Sequence, residues 1–204
     1  METVSICKAQ QSDIAKVVDV HLACFKDSFS SSLGKKILSS YYESYLKHSS
    51  DLFLVAKFDE KIVGFVVGYC CENKQAFAEF KKKNLIRIIL RVICRLLIFD
   101  KRVYRKIFRK PGETTVLLPS FCTIERNKMG DLLSICVLPE YRKNNIASNL
   151  ENEFNKSLLT LNRKYCVLSC LVSNDGGNRF YEKLCYSVYR KNKLNNYYVR
   201  ELNK

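Results

Sequence analysis

The chain has 204 residues, enough for one domain with a sizeable core and hardly for two. Hydrophobic residues make up 47% and charged residues 27%, the proportions of an ordinary soluble protein rather than of a disordered or fibrous one. The net charge of +15 is local: residues 74–110 hold thirteen Lys/Arg against Glu79 and Asp100, or +11, which leaves +4 for the rest and excludes a uniformly cationic surface.

The start, METVSICKAQQSDIAKVV, has no cationic opening followed by an apolar run and reads as lacking a secretion signal. A strand is expected near Val4–Lys8, then a helix from about Ser12, its expected cap, to Asp27, with Ile14, Val17, Val18, His21, Leu22 and Phe25 at helical spacing. A second helix is expected from Leu33 to about His48. DLFLVAKF and KIVGFVVGYCC read as a hairpin turned at Asp59-Glu60. A basic helical insertion fills 74–112, closed by Pro111-Gly112. Strands at Thr115–Glu125 and Leu132–Val137 are expected to flank NKMG. A helix over Asn145–Leu161, a buried strand YCVLSCLV, a short helix capped at Asn174-Asp175 and a terminal strand pair complete the order. The whole reads as one mixed α/β domain around a single sheet, without repeats or linkers. Ten cysteines are scattered without a C-x-x-C pair, which speaks against a disulfide framework or a zinc site and for a reduced, cytoplasmic setting. No metal is expected.

The most informative stretch is VLPEYRKNNIA, residues 137–147, between an apolar strand and a helix start. A helix N-terminus presents unpaired N–H groups and a partial positive charge, so a turn that curls those amides together makes an anion site suited to a diphosphate. Arg142 and Lys143 would raise the local potential, Ala147 lets a ligand approach the backbone, and Ser148 could add a hydroxyl. Asn145 stands where glycine would turn most easily, and asparagine tolerates left-handed dihedrals. A solvated basic turn without a ligand fits the segment equally well.

ICVLPEYRKNNIASNLENEF resembles the acyl-CoA-binding segment of the GNAT superfamily of N-acetyltransferases, whose pattern is V-x-P-x-[YF]-[RQ]-x-x-G-x-[GA]. Val137, Pro139, Tyr141, Arg142 and Ala147 match, and Asn145 departs. NDGGNRFYEKLCY is similar to the family's N-x-x-A-x-x-F-Y-x-K-x-G-F through Asn174, Phe180, Tyr181, Lys183 and Tyr186, with Gly177 for alanine and Cys185 for glycine. The resemblance covers most of the chain outside the basic insertion. It implies a mostly antiparallel, twisted central sheet flanked by helices, and acetyl-CoA as co-substrate. It also implies that Ile135, Cys136 and Val137 pair through main-chain groups with the pantetheine arm. The amides of Arg142, Lys143, Asn144, Asn145, Ile146, Ala147 and Ser148 would hold the pyrophosphate, Asn174 would touch the cofactor, and Tyr181 would protonate the departing thiolate. Taken alone, Tyr181 reads better as a core aromatic beside Phe180.

The general base is not singled out. Glu125, Asp131, Ser134, Cys136 and His21 are the candidates, with Cys136 as a nucleophile disfavoured because direct transfer needs no acyl-enzyme. In the insertion, Arg87, Arg91 and Arg95 form a cationic stripe, and Leu85, Ile86, Ile88, Ile89, Val92, Ile93, Leu96 and Leu97 cover most of the remaining circumference. Three readings compete. In the first, the apolar side is buried against the domain or a second subunit, as in a homodimer, with the arginines outward. In the second, residues 85–109 lie as an interfacial helix on the inner face of a membrane. In the third, a cationic flap holds an anionic acceptor. A nucleic-acid partner is disfavoured, since no base-stacking pattern is interleaved. The expected activity is transfer of acetyl to the primary amine of a small metabolite such as an amino sugar, and the insertion resembles those of enzymes of bacterial surface-sugar assembly. The rivals are N-terminal acetylation of a protein, as of a ribosomal protein, and a GNAT-fold module that binds acyl-CoA or a partner without turnover.

Overall fold

The computed structural model describes residues 4–48, 51–70, 75–108 and 112–202. Cys71, at the end of the expected hairpin, and Lys74, Arg109, Lys110 and Pro111, at the limits of the insertion, lie outside them. β1 (Ser5–Lys8) leads into a single 3-10 turn and α1 (Ile14–Cys24). Ser12 is not the cap expected of it: the Asp13 carboxylate accepts the Gln10 N–H at 3.0 Å and secures the turn instead. The expected second helix forms, and an unexpected short helix precedes it in the serine-rich stretch. α2 (Phe29–Ser32) ends before Gly34, whose φ of +89° interrupts the helical path, and α3 (Lys35–Ser44) follows.

β2 (Asp51–Phe58) and β3 (Lys61–Cys70) pair through a two-residue turn in which Asp59 and Glu60 both have left-handed φ, the arrangement that matches strand twist. The insertion folds as α4 (Gln75–Leu97) and α5 (Lys101–Ile107). The long strand expected over Thr115–Glu125 shrinks to β4 (Thr115–Val116). Pro119 starts a 3-10 segment, and NKMG is no turn, because Met129 and Gly130 already belong to β5 (Met129–Val137). α6 (Ile146–Thr160), β6 (Tyr165–Leu171), α7 (Asp175–Lys183), β7 (Ser187–Lys191) and β8 (Asn195–Glu201) complete the chain.

The strands form one sheet in the order β1-β2-β3-β5-β6-β8-β7-β4, with β5–β6 the parallel neighbours and the other pairs antiparallel. α6 lies on one face, its Leu150, Phe154 and Leu158 fully buried at i, i+4 and i+8. Gly68 in β3 permits this, since a Cβ there would strike both the Asp131 carbonyl and the Phe154 ring. The opposite face is covered by α1 and α3 through Val17, Val18, Leu38 and Tyr42. α6 also carries a buried carboxylate that sequence inspection passes over. Glu151 accepts from the Tyr186 hydroxyl at 2.7 Å and from Arg200 at 3.1 Å, and Asn155 donates to it as well.

The insertion is turned the opposite way from its first reading. Asn84 is buried and its Nδ2 donates to Ser40 Oγ at 2.7 Å. Arg95 Nε donates to the Ser32 carbonyl at 3.1 Å, and the Arg91 guanidinium sits against Gly34. Two of the three arginines therefore face the domain, and a helix-end carbonyl accepts from Arg95. Ile86 (74% exposed), Leu90 and Ile93 point outward. The expectation of a buried apolar side with outward arginines fails because α2 and α3 offer this helix carbonyls and hydroxyls, not an apolar groove.

Candidate active site

β5 and β6 run side by side only from Met129–Tyr165 to Leu132–Leu168. Beyond that point β5 remains paired with β3, while Ser169–Leu171 remain paired with β8, so the sheet parts between them. Strand alternation decides which main-chain groups face the gap. Leu138 N–H donates to the Val63 carbonyl at 2.8 Å, so the groups of Cys136, two residues earlier, face β3 as well. Those of Ile135 and Val137 face the gap. Cys136 is therefore poorly placed for the main-chain role suggested for it. The Val137 carbonyl accepts from Arg142 Nε at 3.1 Å and from Cys24 Sγ at 3.4 Å. The Arg142 side chain thus folds back onto the strand end rather than over the turn.

The turn that follows β5 forms without glycine. Asn145 has φ +57° and ψ +7°, and Lys143 is also left-handed at φ +68°. Asn145 makes no side-chain cap, so the first-turn amides of Ile146, Ala147 and Ser148 have no partner within the helix. Lys143, Asn144 and Asn145 are exposed beside them. The product is a set of first-turn N–H groups, with exposed Lys143 beside them, at the end of the parted strand.

α7 closes the other side of the gap. Tyr181 is 8% exposed and packs edge-on against Phe180 and Tyr186 and tilted against Tyr198, in the same cluster as Ile135 and Ala147. Burial pushes its phenol above the usual range, with nearby Cys170, Cys166 and Glu151 adding to the effect, so the hydroxyl stays protonated. Asn174 is occupied locally, its Oδ1 accepting the Gly177 N–H at 3.1 Å as the α7 cap. Gly177 is needed for this, because a Cβ there would lie 2.5 Å from Asn174 Nδ2 and 3.0 Å from Cys170 Sγ. Asn178, which sequence inspection missed, fixes the loop. Its Nδ2 donates to the carbonyls of Leu171, Val172 and Asn174, and its Oδ1 accepts from Tyr198 and Asn196. A polar residue on the inward face of α7 was the available signal.

The model of the acetyltransferase (GNAT) family matches residues 14–185. The chain belongs to the GNAT family. In structure it is similar to the PaiA N-acetyltransferase from Thermoplasma acidophilum in complex with coenzyme A, with TM-score 0.62, 15% identity and coverage of 98% of this chain and 99% of that one. It is similar also to the ribosomal-protein-S18-alanine N-acetyltransferase from Escherichia coli, with TM-score 0.59, 10% identity and coverage of 99% and 96%. The third is YncA from Salmonella typhimurium, solved with acetyl-CoA, with TM-score 0.58, 9% identity and coverage of 98% and 95%. No curated protein matches by sequence. The GNAT fold is mixed α/β, and this chain is an acetyltransferase of that class.

The GNAT sheet face under α1 and α3 carries the base candidates. His21 is 4% exposed, with Nδ1 2.6 Å from the Tyr42 hydroxyl and Nε2 3.2 Å from Ser30 Oγ. Burial lowers its pKa to about 4, so it is neutral and engaged at both nitrogens. Glu125 is exposed and paired with Lys128 at 3.5 Å, outside the gap. Cys24 and Cys136 face one another, and their hydrogen bond, with help from Arg142, lowers the Cys24 thiol to about 7. Burial pushes the Cys136 thiol well up. Asp131 stands one residue before the strands part, half-buried, with Oδ2 3.4 Å from the Tyr69 hydroxyl. Ser134, on the open stretch of β5, offers no charge. Among the described residues no cluster of His, Cys, Asp or Glu is fit for a metal ion, and no helix is long and apolar enough to cross a membrane.

Proposed function

We propose that this acetyltransferase moves the acetyl group of acetyl-CoA to a primary amine, and that the amine belongs to a small metabolite, amino sugars being the class to test first. The observation that carries the reading is the parting of β5 from β6 after Leu132, with the amide row of the α6 turn at its end. The main-chain edge at Ile135 and the Val137 N–H suits an amide-bearing arm, and the cationic turn suits a diphosphate. Asn145 adopts the left-handed conformation for which glycine would be the easier residue, so the departure from the family pattern there leaves the turn formed.

In the reaction the amine attacks the thioester carbon, the carbonyl becomes an oxyanion, and the C–S bond breaks to release the thiolate. N–H groups on the β5 edge stabilise the oxyanion. Tyr181, held neutral by burial, gives its proton to the thiolate. Asp131 takes the proton that the ammonium must lose, since it is a half-buried carboxylate one residue before the strands part and His21 is fully engaged. Arg142 and Cys24 hold the Val137 carbonyl and act as positioning residues.

Calorimetry with acetyl-CoA on wild type and Asn145→Asp tests the site. The introduced carboxylate should weaken binding by at least about tenfold through repulsion of the diphosphate. Thiol release with amino sugars, compared with amino-terminal peptides, then tests the acceptor. Asp131→Asn should lower kcat by roughly 10²-fold with acetyl-CoA affinity retained. Failure of the folded wild type to bind acetyl-CoA would sink the reading.

A further inference from the structure

We infer that the outward face of α4, continued by α5, is a docking surface for an anionic lipid membrane. Of the fifteen large hydrophobic side chains exposed among the described residues, eleven lie between Phe77 and Phe108. On α4, Ile86, Ile89, Leu90, Ile93 and Leu97 recur at i, i+3, i+4, i+7 and i+11, a continuous stripe along one side. This is the side away from Asn84 and Arg95, which are hydrogen-bonded to the domain, and from Arg91, which sits against Gly34. Past the stripe, Phe99 and Phe108 are 76% and 68% exposed and stack on either side of Tyr104. An apolar stripe of this extent on a protein surface marks an interaction site.

Charge selects the occupant. Lys81, Lys82 and Lys83 are exposed at one end of the stripe, and Lys101, Arg105 and Lys106 on α5 at the other. Residues 74–110 together carry +11. A second copy seated on this face through a two-fold axis would bring two such segments together, with the same patch repeated on both sides. An anionic bilayer neutralises them, while lysine stems reach along the apolar surface with their heads at the phosphates. α4 cannot cross a bilayer, so it lies in the interface with the stripe toward the acyl chains. The face is preformed. Arg95 is tied to Ser32, the Asp100 carboxylate caps α5 at Arg102 N–H, and Arg102 grips that carboxylate, holding its pKa at about 2. Arg102 and Arg105 also donate to the Lys26 and Asp27 carbonyls, which fastens α5 to the loop after α1.

Flotation of the full chain with vesicles provides the test, using phosphatidylcholine alone and phosphatidylcholine with roughly a third phosphatidylglycerol. The chain contains no tryptophan, so Phe99→Trp places a single reporter on the face. Its emission should shift to the blue with the anionic vesicles. Binding to these should exceed binding to neutral vesicles by at least about tenfold and fall with salt. Ile86→Glu with Ile93→Glu should reduce it at least about tenfold, as should Lys82→Glu with Lys83→Glu, both folded by urea unfolding. The proposal is overturned if the folded Phe99→Trp protein shows neither flotation nor shift, or if neutral vesicles bind equally well. It is overturned too if the protein dimerises through this face, so that Ile86→Glu with Ile93→Glu yields monomers while vesicles are ignored.

Discussion

α6 and α4 are both amphipathic helices of this chain, and both are rich in leucine and isoleucine, yet they use their apolar sides in opposite ways. α6 presses Leu150, Phe154 and Leu158 into the sheet, and even its carboxylate Glu151 is buried and partnered. α4 turns Asn84, Arg91 and Arg95 inward and leaves Ile86 and Ile93 to solvent. The contrast teaches that an apolar stripe states only that a helix wants a partner. Which side meets the domain is decided by what the domain offers, apolar glycine-lined strands in one case and polar helix ends in the other.

The sharpest way to break this comparison is by truncation. Leu150→Ala should cost about 3 kcal/mol in urea unfolding, from lost burial and the cavity left behind. Ile93→Ala, 48% exposed, should stay within about 0.5 kcal/mol. Equal losses would mean that the α4 stripe is packed after all, and would remove the docking surface with it.

The layer on which the insertion rides can be probed by pH. The folded pKa of His21, about 4, lies below its unfolded value near 6.5, so between these values the unfolded chain binds more protons. Stability should therefore be complete above about pH 6.5 and should fall as pH drops toward 4, by as much as about 3 kcal/mol. In His21→Gln that slope should shrink, as measured by unfolding at several pH values. An unchanged slope would show that His21 is not the group responsible.

The smallest effect concerns the turn before α6. Asn145→Ala should lose about 1 kcal/mol, because alanine bears the left-handed φ of +57° less well than asparagine. A loss of zero would show that the turn relaxes, and with it the amide row proposed to hold the diphosphate.

Much of this molecule is legible in its residues, and the reasons differ by element. The β2–β3 hairpin, the α6 start after Asn145 and the α7 cap at Asn174 are local arrangements, set by turn-forming residues and alternating or helical apolar patterns. The two family motifs likewise placed the turn and Tyr181 beside one gap. The 3-10 segment at Pro119 was signalled by a residue that interrupts regular backbone, but the apolar run around it outweighed the signal, and the short α2 lies in a serine-rich stretch that reads as a turn. Other features belong to no single segment. The side of β5 on which Ile135 and Val137 face the gap follows from pairing with β3, over sixty residues earlier in the chain. The engagement of the Val137 carbonyl by Cys24 and Arg142 joins a helix, a strand and a turn. The inward arginines of α4 depend on carbonyls exposed only once α2 has ended. Local dihedral preference and apolar period determined which elements exist. Long-range satisfaction of hydrogen bonds and buried surface decided which face each one shows, because those partners come together only when the sheet closes over both layers.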